Sequence, residues 1–395
     1  MSMFDISLSE PNLRGNENKY VTEAIESQWV SITGPFVGQF KKVVENYVHA
    51  DNAIPMQNAT SALHMALMLN NVGSQHEVIV PTLTFIASVN CVKYVNATPV
   101  FMDCDQYGSM DMKKLKKFCE TECTLTEQGL INNKTKKHIK AVIVTHVFGN
   151  MANMEELIPI AEKYKLIVIE DSAQALGTYY TEGKYKGKYA GTFGECGVYS
   201  YNSNKIITCG SGGTLVLKDK QKADKAMYLS AQAKDDGLRY KHNNVGYNYM
   251  MNNVQAAIGI AQMEQLEDFI KTKEENYKLY KELLSDVEGI TLLPFSPNCR
   301  PNYWFYSILV DEEKYGISRD ELMDRLAEKK IQTRPVWGLV HLQLPYKDCQ
   351  SFEIEKAYEY SRTLLNIPCG STLTAEQVKT VVNTIKKAVL NDEKL

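Results

Sequence analysis

The chain has 395 residues, 44% of them hydrophobic, with 44 Lys and Arg against 47 Asp and Glu. That length exceeds what one hydrophobic core usually organises and predicts two lobes, one large and one small. A formal net charge of -3 gives no basic surplus for nucleic acid or an anionic membrane, so a small metabolite is the expected partner.

The nine cysteines are odd in number and scattered. The closest pair, Cys119 and Cys123, has neither a matching second pair nor histidines at zinc-site spacing, so no metal is expected and the thiols read as those of a reduced, cytoplasmic protein. The N-terminal MSMFDISLSEPNLRGNENKY lacks the basic start and apolar stretch of a signal peptide. With no long uninterrupted apolar run either, neither export nor a membrane span is expected.

In chain order, the first motif is Asn58, Ala59, Thr60 and Ser61 at the head of NATSALHMALML. A helix starting there offers free amides and a positive dipole end to a phosphate, although the same residues also serve as an ordinary N-cap. No Walker A sequence or dinucleotide glycine fingerprint accompanies it, which disfavours a nucleotide as the phosphate's source. Between about residues 55 and 217, short apolar runs alternate with helical patterns. Strands are predicted at 77–81, 98–103, 139–146, 166–171, 197–201 and 213–218, and helices in SALHMALML, FIASVNCVKYV and MEELIPIAEKY. The continuous hydrophobicity of the strands suits burial on both faces, and the alternation predicts an α/β domain with a mainly parallel, mixed sheet. The intervening 104–139 is polar and lysine-rich and reads as a solvated surface insertion.

Functional loops of such a sheet gather at the carboxyl ends of its strands. Asp171 closes LIVIED inside EDSAQALG, where a carboxylate can meet a heterocycle in the sheet's crevice; a strand-end cap or surface ion pair would use it equally well. Lys205 follows another strand in YSYNSNKIITCGSGG, between apolar Ile206 and Ile207 and a glycine-rich turn. Partial desolvation there favours the neutral amine that a Schiff base requires.

Two helical patterns, 253–270 and 272–285, lead out of this region. They divide the chain into an N-terminal arm and large domain, 1–270, and a smaller α+β domain, 271–395. The second part has a predicted strand at 303–310, the helix DELMDRLAEKK, a strand-like 331–337, and helices near 353–365 and 374–390.

Taken together, the phosphate-binding helix start, the aromatic in PTLTFIAS, the strand-end Asp171 and the later Lys205 form the layout a pyridoxal phosphate site needs. The aspartate would keep the pyridine nitrogen protonated so that the ring draws off electrons. The lysine would bond the aldehyde and, once released, shuttle a proton.

On these residues the chain resembles the nucleotide-sugar aminotransferases of DegT type, from LRGNENKYV to the final helices. The resemblance implies the aspartate-aminotransferase-like fold (fold type I) and bound pyridoxal 5'-phosphate. It implies that Asp171 and Gln174 contact the pyridine nitrogen and phenolic oxygen, that Lys205 is the Schiff-base lysine and that Phe85 stacks near the ring. Thr60, Ser61 and Ser200 would hold the phosphate, joined by Asn248 of GYNYMMNN from the partner subunit of a homodimer. The segments THVFGNMANMEELIPIAEKY, YNSNKIIT, RPNYWFYSILV and TRPVWGLVH resemble enzymes that place the 4-amino group on 4-keto-6-deoxy-N-acetylhexosamine nucleotides of legionaminic acid and bacillosamine pathways. That likeness implies L-glutamate as donor, a ping-pong reaction, and sugar contacts from Arg334, Trp337 and His341.

Some choices stay open: UDP or GDP as carrier, amination at C4 or C3, and a noncatalytic binding protein that kept the fold. A sugar dehydratase of the family would carry histidine in place of Lys205. Two departures stand out. Met250 replaces the arginine usual after GYNY, so an anion contact there is lost or falls to another residue such as Arg239. Phe148 lacks the hydroxyl of a frequent tyrosine.

Overall fold

The computed structural model describes residues 4–389. Among them, ten strands form one sheet whose main path runs through Asn52–Met56, Gly213–Leu217, Cys196–Ser200, Ile167–Asp171, His138–Thr145, His76–Pro81, Thr98–Met102 and Ser351–Phe352. From Cys196–Ser200 onward every pairing on this path is parallel, whereas Gly213–Leu217 runs antiparallel to both neighbours. The parallel strands need crossovers, which the helices Ala59–Leu69, Ala87–Tyr94 and Met154–Tyr164 help to supply. Alternate strand residues part to opposite faces: Val78, Val80, Ile143 and Ile169 enter one apolar cluster, and Ile79, Val142, Val144 and Val168 another. Burial on both faces is why these strands read as unbroken apolar runs.

Residues 104–139 are not a solvated insertion. Met112–Thr121 is an amphipathic helix that buries Met112, Leu115, Phe118 and Cys119. Cys123–Thr126 and Gly129–Asn132 then form a hairpin whose second strand pairs antiparallel with His138–Thr145. Exposed Lys113, Lys116 and Lys117 dominate the composition of the segment and mask the three- and four-residue spacing beneath them.

The helical pair is Asn253–Met263 and Leu266–Leu283, so its break falls at Glu264 and Gln265, earlier than the sequence pattern suggested. Beyond it, a four-stranded antiparallel sheet of order Ile290–Leu292, Tyr306–Val310, Leu364–Ile367, Arg334–Pro335 shares a separate core with Arg319–Glu328 and Ala375–Ala388. The strand expected over 303–310 begins only at Tyr306, because Tyr303 takes a φ of 56° and breaks the extended run. Of 331–337, only Arg334–Pro335 joins the sheet, with Ile331 in a lone bridge to Ile6. The helix read over 353–365 is shorter, Lys356–Thr363, and gives way to the strand Leu364–Ile367. Residue 390, the end of the helix read over 374–390, lies outside the described residues. No helix among the described residues is long and apolar enough to cross a membrane.

Candidate active site

Several strand ends meet one helix start. Asp171 pairs with Val198, Ser200 pairs with Gly213, and Gly213 pairs with Met56. Just beyond Met56, Asn58 caps the helix Ala59–Leu69 by accepting the Ser61 N–H at 2.8 Å. A Cβ at position 213 would lie 2.6 Å from the Ala59 nitrogen, so glycine is what lets this strand pass so close to the helix's free amides.

These elements enclose a cavity of about 310 Å³. Of the residues singled out from sequence, Thr60, Phe85, Asp171, Gln174, Ser200, Lys205 and Trp337 line it. Four others lie outside the lining. Ser61 is buried, with its N–H in the cap. Asn248 is exposed, in a bridge with Ala231. Arg334 is exposed on its short strand. His341 is buried, its Nδ1 2.6 Å from Thr82 Oγ1 and its Nε2 2.9 Å from the Tyr358 hydroxyl. Met250 is buried in the large core and bridged to Met56, while Arg239 is paired with Asp236 at 3.0 Å.

Sequence reasoning missed Asn202, Asn204, Ser211 and above all Trp304, which also line the cavity. The Trp304 indole donates to the Asn204 carbonyl at 2.6 Å, and its ring centroid lies 4.0 Å from Lys205 Nζ. Trp304 sits in an aromatic run that resembles a buried strand, so periodicity carried no sign of its position. The asparagines on either side of Ser203, only one to three residues from the lysine, were a usable signal.

Lys205 Nζ has no hydrogen-bond partner among the described residues, and burial pulls its ammonium down to about 8 against the opposing charge of Asp171. Asp171 is almost fully buried; its Oδ1 accepts the Ala173 N–H at 3.0 Å and its Oδ2 accepts the Ser88 hydroxyl. Gln174 Oε1 accepts the Phe148 N–H at 2.7 Å, which leaves Nε2 as the donor of that side chain. Phe148, held at a φ of 58°, stacks on Trp337 with centroids 5.4 Å apart. A desolvated amine, an acceptor-only carboxylate with free capacity, and free helix amides in one cavity match the aldehyde, ring nitrogen and phosphate of pyridoxal phosphate.

Residues 11–386 match the model of the DegT/DnrJ/EryC1/StrS aminotransferase family, and the chain belongs to that family. It is a pyridoxal-phosphate-dependent aminotransferase of fold type I. The GDP-perosamine synthase of Escherichia coli O157:H7 is 36% identical over 384 residues, covering 97% of this chain and 98% of its own. The GDP-perosamine synthase of Caulobacter vibrioides is 33% identical over 389 residues, with 98% of each chain covered. The crystal structure of a DegT DnrJ EryC1 StrS aminotransferase from Brucella abortus matches with a TM-score of 0.84 at 26% identity, over 94% of both chains.

Proposed function

We propose that the enzyme moves an amino group from L-glutamate to the 4-keto group of a nucleotide-linked 4-keto-6-deoxy-N-acetylhexosamine, giving the 4-amino-4,6-dideoxy sugar nucleotide used in legionaminic acid or bacillosamine type glycans. The observation that carries the chemistry is the cavity shared by Lys205 and Asp171 and roofed by Trp304 and Trp337. A second reading, a GDP-linked sugar without the acetamido group, draws support from full-length likeness to two proteins named GDP-perosamine synthase.

When bound, pyridoxal phosphate supplies an electron sink for negative charge at the carbon that loses its proton. The Asp171 carboxylate, which lines the cavity, would hold a proton on the ring nitrogen through a charge-assisted bond. Lys205 Nζ, whose basicity is lowered to about 8 so that its neutral fraction is raised, would anchor the aldehyde carbon and, once released, would be the group that moves a proton at the donor carbon. Gln174 Nε2 would donate to the phenolic oxygen, and the exposed ring of Phe85 would lie against the pyridine. Thr60, Ser200 and the free amides of the helix start would hold the phosphate, with Ser61 outside the lining and its N–H in the Asn58 cap. The two tryptophans come from the part of the chain assigned to the smaller domain, 271–395, and line the cavity, Trp304 directly over Lys205 Nζ.

Of the three expected sugar contacts, Trp337 reaches the cavity, Arg334 would meet only the part of a sugar nucleotide that extends beyond it, and His341, buried with both ring nitrogens engaged, would act only through Thr82 and Tyr358. Asn248, exposed and away from its own cavity lining, is free to reach the site of a second copy, as a homodimer with shared sites requires.

The test is to incubate the protein with glutamate and the keto products of several sugar-nucleotide dehydratases, on UDP and on GDP, and to locate the new amine by NMR. An amine at C4 of the N-acetylated sugar is expected. An amine at C3 would overturn the regiochemistry, and a colourless protein inert to all substrates would overturn the reading.

A further inference from the structure

Behind Asp171, away from the ring it would face, three hydroxyls lie in line. Ser88, in the first turn of Ala87–Tyr94 and 1% exposed, contacts Asp171 Oδ2. Thr84 Oγ1 is 3.2 Å from Ser88 Oγ, and Thr145 Oγ1 is 3.2 Å from Thr84 Oγ1. Both threonines are buried. They come from two strand ends: Thr84 follows His76–Pro81, and Thr145 closes His138–Thr145 directly beside Asp171 in the register.

Their directions follow from proton counting. An ionised carboxylate only accepts, so the single hydroxyl hydrogen of Ser88 goes to Asp171, although the Phe85 carbonyl also lies 3.2 Å away. Ser88 Oγ then has only lone pairs to offer Thr84, which must donate. Thr84 in turn accepts from Thr145. The result is a directed chain, Thr145 to Thr84 to Ser88 to Asp171, in which each bond polarises the next and the charge-assisted bond to the carboxylate is the strongest. With Ala173 N–H on Oδ1, the two donors fix the plane of the carboxylate from opposite oxygens.

We propose that Ser88 is a positioning residue for the cofactor: through Asp171 it sets the orientation and strength of the contact to the ring nitrogen, with Thr84 and Thr145 as its supports. The inference rests on the pyridoxal phosphate assignment and not on the identity of the sugar. Removing the Ser88 hydroxyl leaves Oδ2 with no donor among the described residues, so the carboxylate loses the bond that aims it.

The test compares Ser88→Ala with Ser88→Thr, which keeps a hydroxyl. Four quantities are read: the dissociation constant of pyridoxal phosphate from the apoprotein, kcat and KM for the glutamate half-reaction, the apoprotein melting temperature, and the Asp171 carboxylate infrared band, assigned by its loss in Asp171→Asn. Ser88→Ala is expected to weaken cofactor binding and lower kcat by roughly ten- to a hundredfold. KM for glutamate should stay within about twofold. The infrared band should move even in the apoprotein, and Ser88→Thr should restore most of each loss. Thr84→Val, which withdraws a donor without touching Asp171 and so guards against misfolding of the alanine variant, should give a smaller loss of about threefold.

Wild-type binding and turnover in Ser88→Ala, equal impairment in Ser88→Ala and Ser88→Thr, or an unaltered Thr84→Val would overturn the proposal. Wild-type protein that binds no pyridoxal phosphate would overturn the cofactor assignment as well, so the two failures are told apart.

Discussion

Glu170 and Asp171 are consecutive residues at the end of one strand, and both are almost fully buried. Glu170 receives four donors: the N–H groups of Gly191, Phe193 and Gly194 at 2.8, 2.6 and 2.7 Å, and His146 Nε2 at 2.9 Å. Asp171 receives two, from Ala173 and Ser88. A carboxylate offers about four lone-pair sites, so the turn at 191–194 and His146 fill the first residue, while the second keeps capacity toward the cavity. Strand alternation sends them to opposite faces and so makes the division possible.

A buried lysine and a half-buried one repeat the contrast. Lys273 Nζ is tied to the Cys369 carbonyl, and Lys205 Nζ has only the face of Trp304. Asp103 falls on the saturated side, accepting the N–H groups of Glu355, Lys356 and Ala357 together with Lys114 Nζ. Burial of a charge does not by itself mark a reactive group; Lys205 and Asp171 are set apart by keeping unfilled hydrogen-bonding capacity toward one shared cavity.

The change expected to test this contrast most severely is Lys205→Ala. Steady-state assays should show kcat reduced by roughly 10⁴-fold or more, with the apoprotein still folded, since Nζ makes no structural bond. Turnover near wild type would remove the lysine from the chemistry. Asp171→Asn ranks second, with kcat lower by roughly 10²- to 10³-fold, because a neutral amide does not hold the ring-nitrogen proton; a defect confined to KM would contradict that role. Glu170→Gln should show the opposite signature. Turning an amide NH₂ toward fixed N–H donors is expected to cost about 3 kcal/mol in urea unfolding, while the folded fraction retains its kcat. Matching losses of kcat in Glu170→Gln and Asp171→Asn would erase the distinction drawn from their donors.

The six apolar runs between residues 77 and 218 are found as strands within a residue or so, because burial on both faces leaves a strong and local mark on composition. Asn52–Met56 carries a weaker mark. It is an edge strand that accommodates Pro55, a residue that argues against a strand when met alone. The helix Met112–Thr121 was hidden by its own lysines, and the strand at 303–310 was shortened by the backbone turn at Tyr303, which no side-chain pattern announces. At the site, Lys205 and Asp171 were legible because each follows a strand with unusual neighbours. Trp304 was not, since its place opposite Lys205 depends on how the smaller sheet meets the larger one. Nor was Ser88 legible, one hydroxyl among many until geometry put it on Asp171.

The smallest expected effect bears on whether unfilled capacity and lowered basicity belong together at Lys205. Its ammonium, ordinarily near 10.5, is pulled to about 8 in the fold. Below pH 8 both folded and unfolded chains carry this proton, and the full cost of burying it weighs on the folded state. Between 8 and 10.5 the unfolded chain binds a proton the folded chain has released, so stability rises with pH; above 10.5 the cost is gone. Lys205→Met lacks the group altogether. Its stability advantage over the wild-type apoprotein, measured by urea unfolding across this range, is therefore expected to be greatest below pH 8, on the order of 1–3 kcal/mol, and to shrink toward pH 10.5. An advantage that stays level from pH 7 to 10.5 would mean that solvent entering the cavity mouth already satisfies the ammonium. In that case the absence of a protein partner on Nζ would carry no information about its reactivity.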